Sequence, residues 1–311
     1  MEWYFVVLLV VGVVLLLFFA AGFFLFRFLC EPDRQKSASL DGNASRSLQA
    51  YVPIIKQKAL QNNALPHEMV FIKAFDDVGL RAKLFLNERT DRFVILVHGY
   101  HSCASWDFGA SFAHYYNEGY SVLVLDNRGH GSGGSYIGFG ALDQRDVHSW
   151  MQYLVKRFGP SIKIALVGVS MGAATVMLVS GNHPIPQLCA VIEDCGYSSL
   201  RELFYYLIRQ KKVPPVLLVA FASIWSKLLA GYFFSEATPE AAVKKSRVPT
   251  LFIHGTADTF VPFYMQERLY KACAAPKARA SFRDSIHGES SYREPDRYGK
   301  VVTSFLRAYM A

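Results

Sequence analysis

The chain has 311 residues, of which 52% are hydrophobic and 19% charged, with a formal net charge of +8. This length and composition fit one globular domain of about 250 to 280 residues with an added segment. The basic excess is modest and forms no stripe, so the charge does not favour nucleic acid as a partner. A membrane surface is a better candidate for the basic residues.

The five cysteines are odd in number and scattered, and their spacing is not that of metal ligands. They predict no disulfide framework and fit a reducing compartment. They are Cys30, Cys103, Cys189, Cys195 and Cys273.

The first predicted element is an uncharged and almost wholly apolar run from Trp3 to Phe26. As a helix it is long enough to cross about 30 Å of hydrocarbon. A cleaved signal peptide is the other interpretation, but Glu2 replaces a basic flank, the run is too long and no small-residue cleavage site follows. We therefore predict an uncleaved, single-pass membrane anchor over residues 1–30.

Lys and Arg residues follow the apolar run but do not precede it. The first four are Arg27, Arg34, Lys36 and Arg46. Because positive charges are enriched on the cytoplasmic side of membrane spans, the remaining domain is predicted to face the cytoplasm. Residues 31–65 are rich in small polar side chains and are predicted to be a linker that holds this domain away from the bilayer, with helical potential over 48–60.

From residue 66 onward, short apolar runs alternate with amphipathic segments. Two alternating segments, 68–74 and 80–86, flank a turn and predict an antiparallel hairpin. The later alternation of strands and helices predicts a mostly parallel sheet with helices on both faces. In such a sheet the functional site lies beyond the carboxyl ends of the strands. The buried strands are predicted at 93–97, 121–125, 163–167, 190–192, 250–253 and 280–282, and the helices at 104–117, 142–157 and 171–181.

The most informative stretch is Gly168-Val-Ser170-Met171-Gly172, which lies between a predicted buried strand and a helix of small residues. A serine on a strained strand-to-helix turn leaves no room for side chains two residues before or after it, which explains both glycines. Such a turn exposes the Ser170 hydroxyl and leaves the Met171 amide at a helix N-terminus, where it can face a developing negative charge. The pattern predicts a nucleophile elbow.

Two neighbouring strand ends carry further signals. The strand at 93–97 ends in His98-Gly99-Tyr100, where the glycine lets the loop turn sharply over the sheet edge. The Tyr100 amide can then face the Met171 amide, and two converging N–H groups can hold an oxyanion.

A glycine-rich loop, residues 126–134, follows the strand at 121–125. Phosphate binding is one interpretation, but no lysine follows at P-loop spacing. We interpret it as a structural loop in which Asp126 and Arg128 pair or cap nearby amides.

A nucleophilic serine needs a base, and the base needs an acid that orients it. Of the nine histidines, His287 is best placed, on a loop after the last predicted strand. His98, His130 and His254 lie close to strand ends and are expected to make structural hydrogen bonds. The remaining candidates look like surface or loop residues: His67, His114, His148 and His183.

Two acids between Ser170 and His287 follow buried strands, Asp258 and Asp194. We prefer Asp258 because the surrounding His-Gly-x-x-Asp-x-x-Val-Pro arrangement presents its carboxylate on a tight turn beside the loop that carries His287. Asp194 is left with a structural or pocket-wall role.

Taken in chain order, these motifs resemble the α/β-hydrolase superfamily, over about residues 66–310. The chain is most similar to membrane-anchored α/β-hydrolase domain-containing proteins and to the prolyl-oligopeptidase-like domain. The resemblance implies an α/β-hydrolase fold with the Ser, acid, His order of that fold. It implies Ser170 as nucleophile, His287 as base and Asp258 as acid. The amides of Tyr100 and Met171 would form the oxyanion hole, and no metal or organic cofactor is needed.

The insert at 197–248 lies where this fold commonly carries a helical cap. Residues 215–234 are strongly apolar, but Lys227 and the position inside the domain argue against a second membrane span. Two interpretations stay open: a cap helix pair packed on the core, or an apolar lid that admits acyl chains from the bilayer. In the second, basic residues would meet anionic headgroups, namely Arg209, Lys211, Lys212 and Lys227.

The predicted function is that of a membrane-anchored serine hydrolase. It would cleave small carboxylic esters or related acyl compounds, lipid-derived ones included, through an acyl-enzyme. A peptidase acting on short peptides is the alternative within catalysis. A non-catalytic, membrane-tethered binding module of the same fold is the alternative from another class.

Overall fold

The computed structural model describes residues 2–32, 46–88 and 91–311. Arg34 and Lys36, used above for orientation, and much of the predicted linker lie outside the described residues. Eight strands form one sheet in the order β1-β2-β4-β3-β5-β6-β7-β8. The strands are β1 Glu68–Lys73, β2 Gly79–Phe85, β3 Arg92–Val97, β4 Ser121–Asp126, β5 Lys163–Val169, β6 Leu188–Asp194, β7 Thr250–Gly255 and β8 Lys277–Phe282.

Helices follow the strands in alternation, as the sequence pattern predicts. In chain order they are α1 Trp3–Cys30, α2 Val52–Asn63, α3 Ala104–Asp107, α4 Phe112–Tyr116, α5 Asp143–Phe158, α6 Met171–Asn182, α7 Leu200–Arg209, α8 Pro215–Ala230, α9 Pro239–Val243, α10 Tyr264–Ala272, α11 Ser290–Arg293 and α12 Pro295–Met310. Short 3-10 turns lie at Arg46–Tyr51 and Phe234–Glu236.

The sheet is mixed at one edge and parallel elsewhere. β1 and β2 form the predicted antiparallel hairpin, with Glu68 opposite Leu84, and β2 pairs antiparallel with β4. From β4 through β8 every pairing is parallel. The predicted fold class is confirmed, and the carboxyl ends of β3, β5, β6 and β7 share one edge of the sheet.

Both faces of the sheet are covered because the flanking helices carry one apolar face each. Helix α5 buries Val147, Trp150, Met151 and Leu154, which recur at the three- and four-residue spacing of one helix face. Helix α12 packs on the opposite face of the sheet, in a hydrophobic cluster separate from that of α5. Each large buried apolar side chain contributes about 1.5 to 3 kcal/mol to folding.

The predicted helix at 104–117 is wrong in one respect, since the structure divides it into α3 and α4. The carbonyl of Trp106 would accept the amide of residue 110 in a continuous helix, but it accepts the hydroxyl of Tyr292 instead. Gly109 occupies the break, where a side chain would lie only 2.7 Å from the carbonyl oxygen of Ser105.

Residues on both sides of the undescribed part of the linker pack directly on the domain. Helix α2 buries Ile55, and the Tyr51 hydroxyl donates to Glu289 at 2.8 Å. At the end of α1, the Cys30 carbonyl accepts the amide of Ile137 at 2.8 Å. These contacts join α1 and α2 to the domain, and the expectation that residues 31–65 hold the domain away from the bilayer stays a prediction.

Helix α1 is the one described helix that is long and apolar enough by itself to cross a membrane, with a mean hydropathy of 3.1 over its most apolar window. Only 6% of that window is buried within the protein. Helix α8 passes the same test only jointly with Phe234–Val243, as a pair bent by 88°. Lys227, near the end of α8, pairs with Glu236 at 3.0 Å.

Candidate active site

The predicted nucleophile elbow has the strained backbone that its sequence indicates. Ser170 joins β5 to α6 with φ 56° and ψ −115°, a conformation in which non-glycine residues are uncommon. A side chain at Gly172 would overlap the carbonyl oxygen of Val97, and one at Gly168 would overlap that of Gly172. The two glycines are therefore required by close backbone approach.

Three side chains that are far apart in sequence meet at the elbow. Nε2 of His287 lies 2.8 Å from Oγ of Ser170, and Nδ1 of His287 lies 2.7 Å from Oδ2 of Asp258. The ring thus has one nitrogen for each neighbour. A proton on Nδ1, directed at the carboxylate, leaves Nε2 with a lone pair for the serine hydroxyl.

Asp258 is held by donors on each of its oxygens. Oδ1 accepts the amides of Phe260 and Val261, both at 2.9 Å. Oδ2 faces His287 and also lies 3.2 Å from Nε2 of His254, which is fully buried. Apart from the contact with His287, every contact of the Asp258 carboxylate comes from β7 or from the turn after it. These contacts fix the orientation of the carboxylate.

The loop that carries His287 is held by hydrogen bonds just after that residue. Gly288 follows with φ +70°, a conformation that glycine adopts without strain. Glu289 then accepts the amide of Ile286 at 2.9 Å and the hydroxyl of Tyr51 at 2.8 Å. The position of the imidazole thus depends on residues that precede the sheet.

His287 and Asp258 each stabilise the charged form of the other. Burial disfavours the imidazolium, but the Asp258 carboxylate outweighs this effect and raises the pKa of His287 above its usual value. Burial likewise opposes ionisation of Asp258, yet the positive charge of His287 and the hydrogen bond from His254 hold the pKa of Asp258 well below its usual range. Asp258 is therefore ionised whenever His287 is to accept a proton.

Asp194, the other candidate acid, occupies a different position. Its backbone carbonyl accepts the amide of Ser170 at 2.8 Å, so it supports the elbow. Its carboxylate is buried, and burial raises its pKa to about 6, partly offset by His254 and Tyr298. No hydrogen bond joins it to His287 among the described residues, and its Oδ1 atom has no hydrogen-bond partner there.

The loop after β3 passes directly beside the elbow. A Cβ atom on Gly99 would lie 3.2 Å from Cβ of Ser170, so the backbone leading to Tyr100 is next to the serine. The Gly99 amide is held at 2.6 Å by Asp107, whose other oxygen accepts the Ser102 hydroxyl at 2.6 Å. On the opposite side, Met171 opens α6, so its amide has no partner within the helix.

The other strand-end histidines make structural hydrogen bonds, as expected. His98 accepts the amide of Asn127 at 3.2 Å, and His130 accepts that of His101 at 2.9 Å. His254 lies 2.8 Å from the carbonyl of Val261. These bonds join the loops after β3, β4 and β7 around the elbow.

Asp126 and Arg128 do not pair with each other, which corrects one option given above. Arg128 is 3% exposed and binds Asp146 at 2.6 Å and Asp76 at 2.9 Å. Asp126 pairs instead with Arg81 at 2.5 Å, near the surface. The glycine-rich loop is thus fastened from both sides, which agrees with its predicted structural role.

One group of potential metal ligands occurs among the described residues, formed by Cys195, Asp258 and His287, whose ligand atoms lie within 4.8 Å of one another. Two of these side chains are already engaged with each other and with Ser170. Burial raises the pKa of the Cys195 thiol well above its usual value, so the sulfur is held in its neutral, poorly ligating form. This chemistry favours proton transfer over metal coordination.

A cavity of about 730 Å³ opens above Ser170. Its volume lies within the range of about 300 to 1,000 Å³ common for small-molecule sites. Its walls are largely apolar and include Tyr100, Phe139, Tyr197, Phe204, Leu207 and Phe260. None of the described residues that line it is Asp or Glu.

Comparison with known proteins agrees with this architecture. The family described as "Serine aminopeptidase, S33" matches residues 88–213. The Bacillus subtilis (strain 168) protein YqkD, itself described as uncharacterized, is 32% identical over 190 residues, which cover 60% of this chain and 62% of YqkD. The chain thus spans about three fifths of the length of the curated relatives it matches.

Solved structures share the fold at low sequence identity. The Pyrococcus furiosus esterase Pf2001 superposes with a TM-score of 0.67 at 22% identity, covering 81% of this chain and 94% of the esterase. The protein has the α/β-hydrolase fold. Acylaminoacyl peptidase from Pyrococcus horikoshii also matches, with a TM-score of 0.57 at 16% identity over 80% of this chain and 43% of the peptidase.

Sequence reasoning missed two features of the site. Asp107, which holds the loop after β3, carries no motif and lies inside a segment predicted as an ordinary helix. The second is helix α1, whose residues Leu25, Phe28 and Leu29 line the cavity above Ser170. Its length was the available signal, because 28 residues exceed the roughly 20 that a bilayer requires.

Proposed function

We propose that the protein is a membrane-anchored serine hydrolase that cleaves carboxylic esters through an acyl-enzyme. The observation that carries the proposal is the hydrogen-bonded line from Ser170 through His287 to Asp258, with spacings of 2.8 and 2.7 Å. In an α/β-hydrolase fold, this line at a strained elbow supplies a nucleophile, a base and an orienting acid.

The first half of the reaction forms the acyl-enzyme. Oγ of Ser170 attacks the ester carbonyl carbon while Nε2 of His287 takes the hydroxyl proton. The Asp258 carboxylate stabilises the imidazolium that results. The amides of Met171 and Tyr100 are assigned to the oxyanion, where one donor is worth about 3 kcal/mol of barrier. Collapse expels the alkoxide, which leaves as an alcohol with the proton from His287.

The second half releases the acid. Water gives a proton to Nε2 of His287 and attacks the acyl carbon, which forms a second tetrahedral oxyanion at the same amides. Collapse of this intermediate breaks the bond to Oγ, and the proton on His287 returns to Ser170. The products are one carboxylic acid and one alcohol for each ester and water consumed.

The cavity favours an ester over an aminopeptidase substrate. A peptide with a free amino terminus brings an ammonium group, which is costly to bury without an opposing carboxylate. The described residues of the lining include no carboxylate, while Lys211 adds a positive charge to it. An uncharged acyl ester therefore suits the site better than a short peptide does.

The proposed membrane attachment rests on α1, and the single span is proposed to place the domain in the cytoplasm because Lys and Arg residues follow the span. Lys245 is exposed on the domain surface, so Lys245→Cys supplies an accessible thiol. In intact cells a membrane-impermeant maleimide should leave this thiol unlabelled until the membrane is broken. Labelling of intact cells would overturn the orientation.

Reaction with a fluorophosphonate tests the catalytic proposal. Ser170 should become phosphonylated with loss of fluoride, and the purified full-length protein should hydrolyse p-nitrophenyl esters. Ser170→Ala should abolish both signals while its thermal midpoint stays near that of the unmodified protein. A folded protein that neither reacts at Ser170 nor hydrolyses esters would instead support a binding module.

A further inference from the structure

Part of the anchor helix belongs to the active site. The first 20 residues of α1 suffice for about 30 Å of hydrocarbon, which leaves the last two turns of its 28 residues for contacts with the domain. In those turns Phe26 and Cys30 are completely buried. The end of α1 is therefore built into the protein and is not a free tether.

The anchor is fixed to the cap by close packing along α8. A side chain at Gly22 would lie 2.6 Å from Cβ of Phe221, so glycine lets the two helices approach closely. The indole N–H of Trp225 donates to the carbonyl of Phe19 at 3.0 Å, and the two rings lie 4.7 Å apart. Helix α8 is thus held beside the lower half of the predicted span.

This arrangement places anchor residues in the cavity wall. Leu25, Phe28 and Leu29 line the same cavity as Ser170. The hydroxyl of Tyr100 donates to the carbonyl of Leu29 at 2.9 Å, which joins the anchor to the loop assigned to the oxyanion hole. One largely apolar cavity is therefore lined by both the serine and α1.

An exposed apolar stripe leads from the span to the cavity mouth. Leu17, Phe24 and Phe28 are 63%, 71% and 78% exposed, and their spacing of seven and four residues puts them on one helix face. Val213, which lines the same cavity as Phe28, is also exposed, and the exposed side chains of Val216 and Leu217 follow it on α8. Such a surface has its favourable environment in the bilayer.

We propose that the last two turns of α1 form one wall of an acyl-chain site, and that long-chain acyl esters enter this site laterally from the bilayer past Phe28 and Val213. The inference rests on the proposed ester hydrolysis and gives it a substrate class, namely membrane lipids with a long acyl chain. Lys211 lines the cavity, and Arg209 and Lys212 are its exposed neighbours in sequence, so that these basic side chains can meet anionic lipid headgroups.

Alkyl fluorophosphonates of two chain lengths test the acyl site in the full-length protein. Hexadecyl fluorophosphonate should label Ser170 at least tenfold faster than the ethyl reagent. Leu25→Trp, which fills the cavity from the anchor, should reduce that rate ratio about tenfold or more. The control is Leu16→Trp, an equal change at an exposed position of α1 that does not line the cavity.

Labelling by the ethyl reagent reports separately on the folded site. If the Leu25→Trp variant is no longer labelled by the ethyl reagent, Phe28→Glu is used in its place, because Phe28 is exposed and its substitution spares the core. An unchanged rate ratio in a variant that the ethyl reagent still labels would overturn the acyl site. No labelling of the unmodified protein by either reagent would overturn the proposed function itself.

Lateral entry is tested with a fluorophosphonate linked to dihexadecylglycerol, which does not leave its vesicle. The reagent is placed either in the same phosphatidylcholine vesicles as the protein or in separate ones. Labelling from the same bilayer should be at least tenfold faster. Equal rates, or no labelling from the same bilayer while the ethyl reagent reacts, would overturn the lateral route.

Discussion

Nδ1 of His287 lies 2.7 Å from Oδ2 of Asp258, whereas no hydrogen bond joins His287 to Asp194 among the described residues. We therefore expect Asp258→Asn to reduce kcat by about 10⁴-fold, because the amide no longer stabilises the imidazolium or selects the Nδ1–H tautomer. Asp194→Asn is the matched control, a buried acid of equal size at the end of the neighbouring strand. The measurement is kcat for a p-nitrophenyl ester.

Asp194→Asn should retain activity within about tenfold, since Asp194 acts on His287 only through its charge and not through a hydrogen bond among the described residues. An equal loss in both variants would contradict the assignment of Asp258 as the sole orienting acid. A larger loss for Asp194→Asn would assign the acid to the strand β6 end instead.

The pH dependence of kcat/KM should follow the protonation of His287. The base must be neutral, so activity is lost as pH falls through its pKa, which the Asp258 carboxylate raises despite burial. The acid limb should therefore have its midpoint above about 6.5, the ordinary histidine value. In Asp258→Asn the midpoint should move down, because the strongest of the charges that raise the pKa of His287 is gone. A midpoint below the ordinary value in the unmodified protein would contradict this reading of the pair.

The elbow could be predicted from sequence because its physical requirements are local. Two glycines around Ser170 report a steric constraint that acts over five residues, and strand-helix alternation reports the sheet around it. Chain order and turn chemistry then sufficed to select His287 and Asp258, which the structure brings together.

The contacts of helix α1 with the domain could not be predicted in the same way. Apolar composition indicates that α1 avoids water but does not distinguish lipid from a cap helix as its surroundings. The decisive contact, between Gly22 and Phe221, joins positions about 200 residues apart. The break in the segment 104–117 has a similar origin, because the Tyr292 hydroxyl comes from a distant helix.

Gly172→Ala tests the steric account of the elbow. Helix propensity alone predicts a gain of about 1 kcal/mol for this change inside α6. Overlap with the carbonyl of Val97 should reverse the sign and cost about 3 kcal/mol or more. The thermal midpoint should therefore fall by roughly 6 °C or more. Gly79→Ala is the control, since a Cβ atom there meets nothing within 4 Å, and a stabilised Gly172→Ala variant would contradict the account.

The buried ion pair of Arg128 should stabilise the loop after β4. Arg128→Met leaves Asp146 buried without its partner, which should cost about 3 to 5 kcal/mol in the free energy of unfolding. Arg81→Met is the matched control, because its pair with Asp126 is partly exposed and should contribute about 1 kcal/mol or less. Equal losses from the two substitutions would contradict the difference in burial.

The cost of Arg128→Met should also depend on pH. Burial raises the pKa of Asp146 to about 6 even with Arg128 present, and loss of the guanidinium removes the hydrogen bond and charge that oppose this rise. When a carboxyl group has a higher pKa in the folded than in the unfolded protein, the folded protein becomes less stable as pH rises from the unfolded pKa to the folded pKa. The destabilisation should therefore be larger at pH 8 than at pH 5.5, measured by chemical denaturation. A cost independent of pH would mean that Asp146 gains another partner when Arg128 is removed.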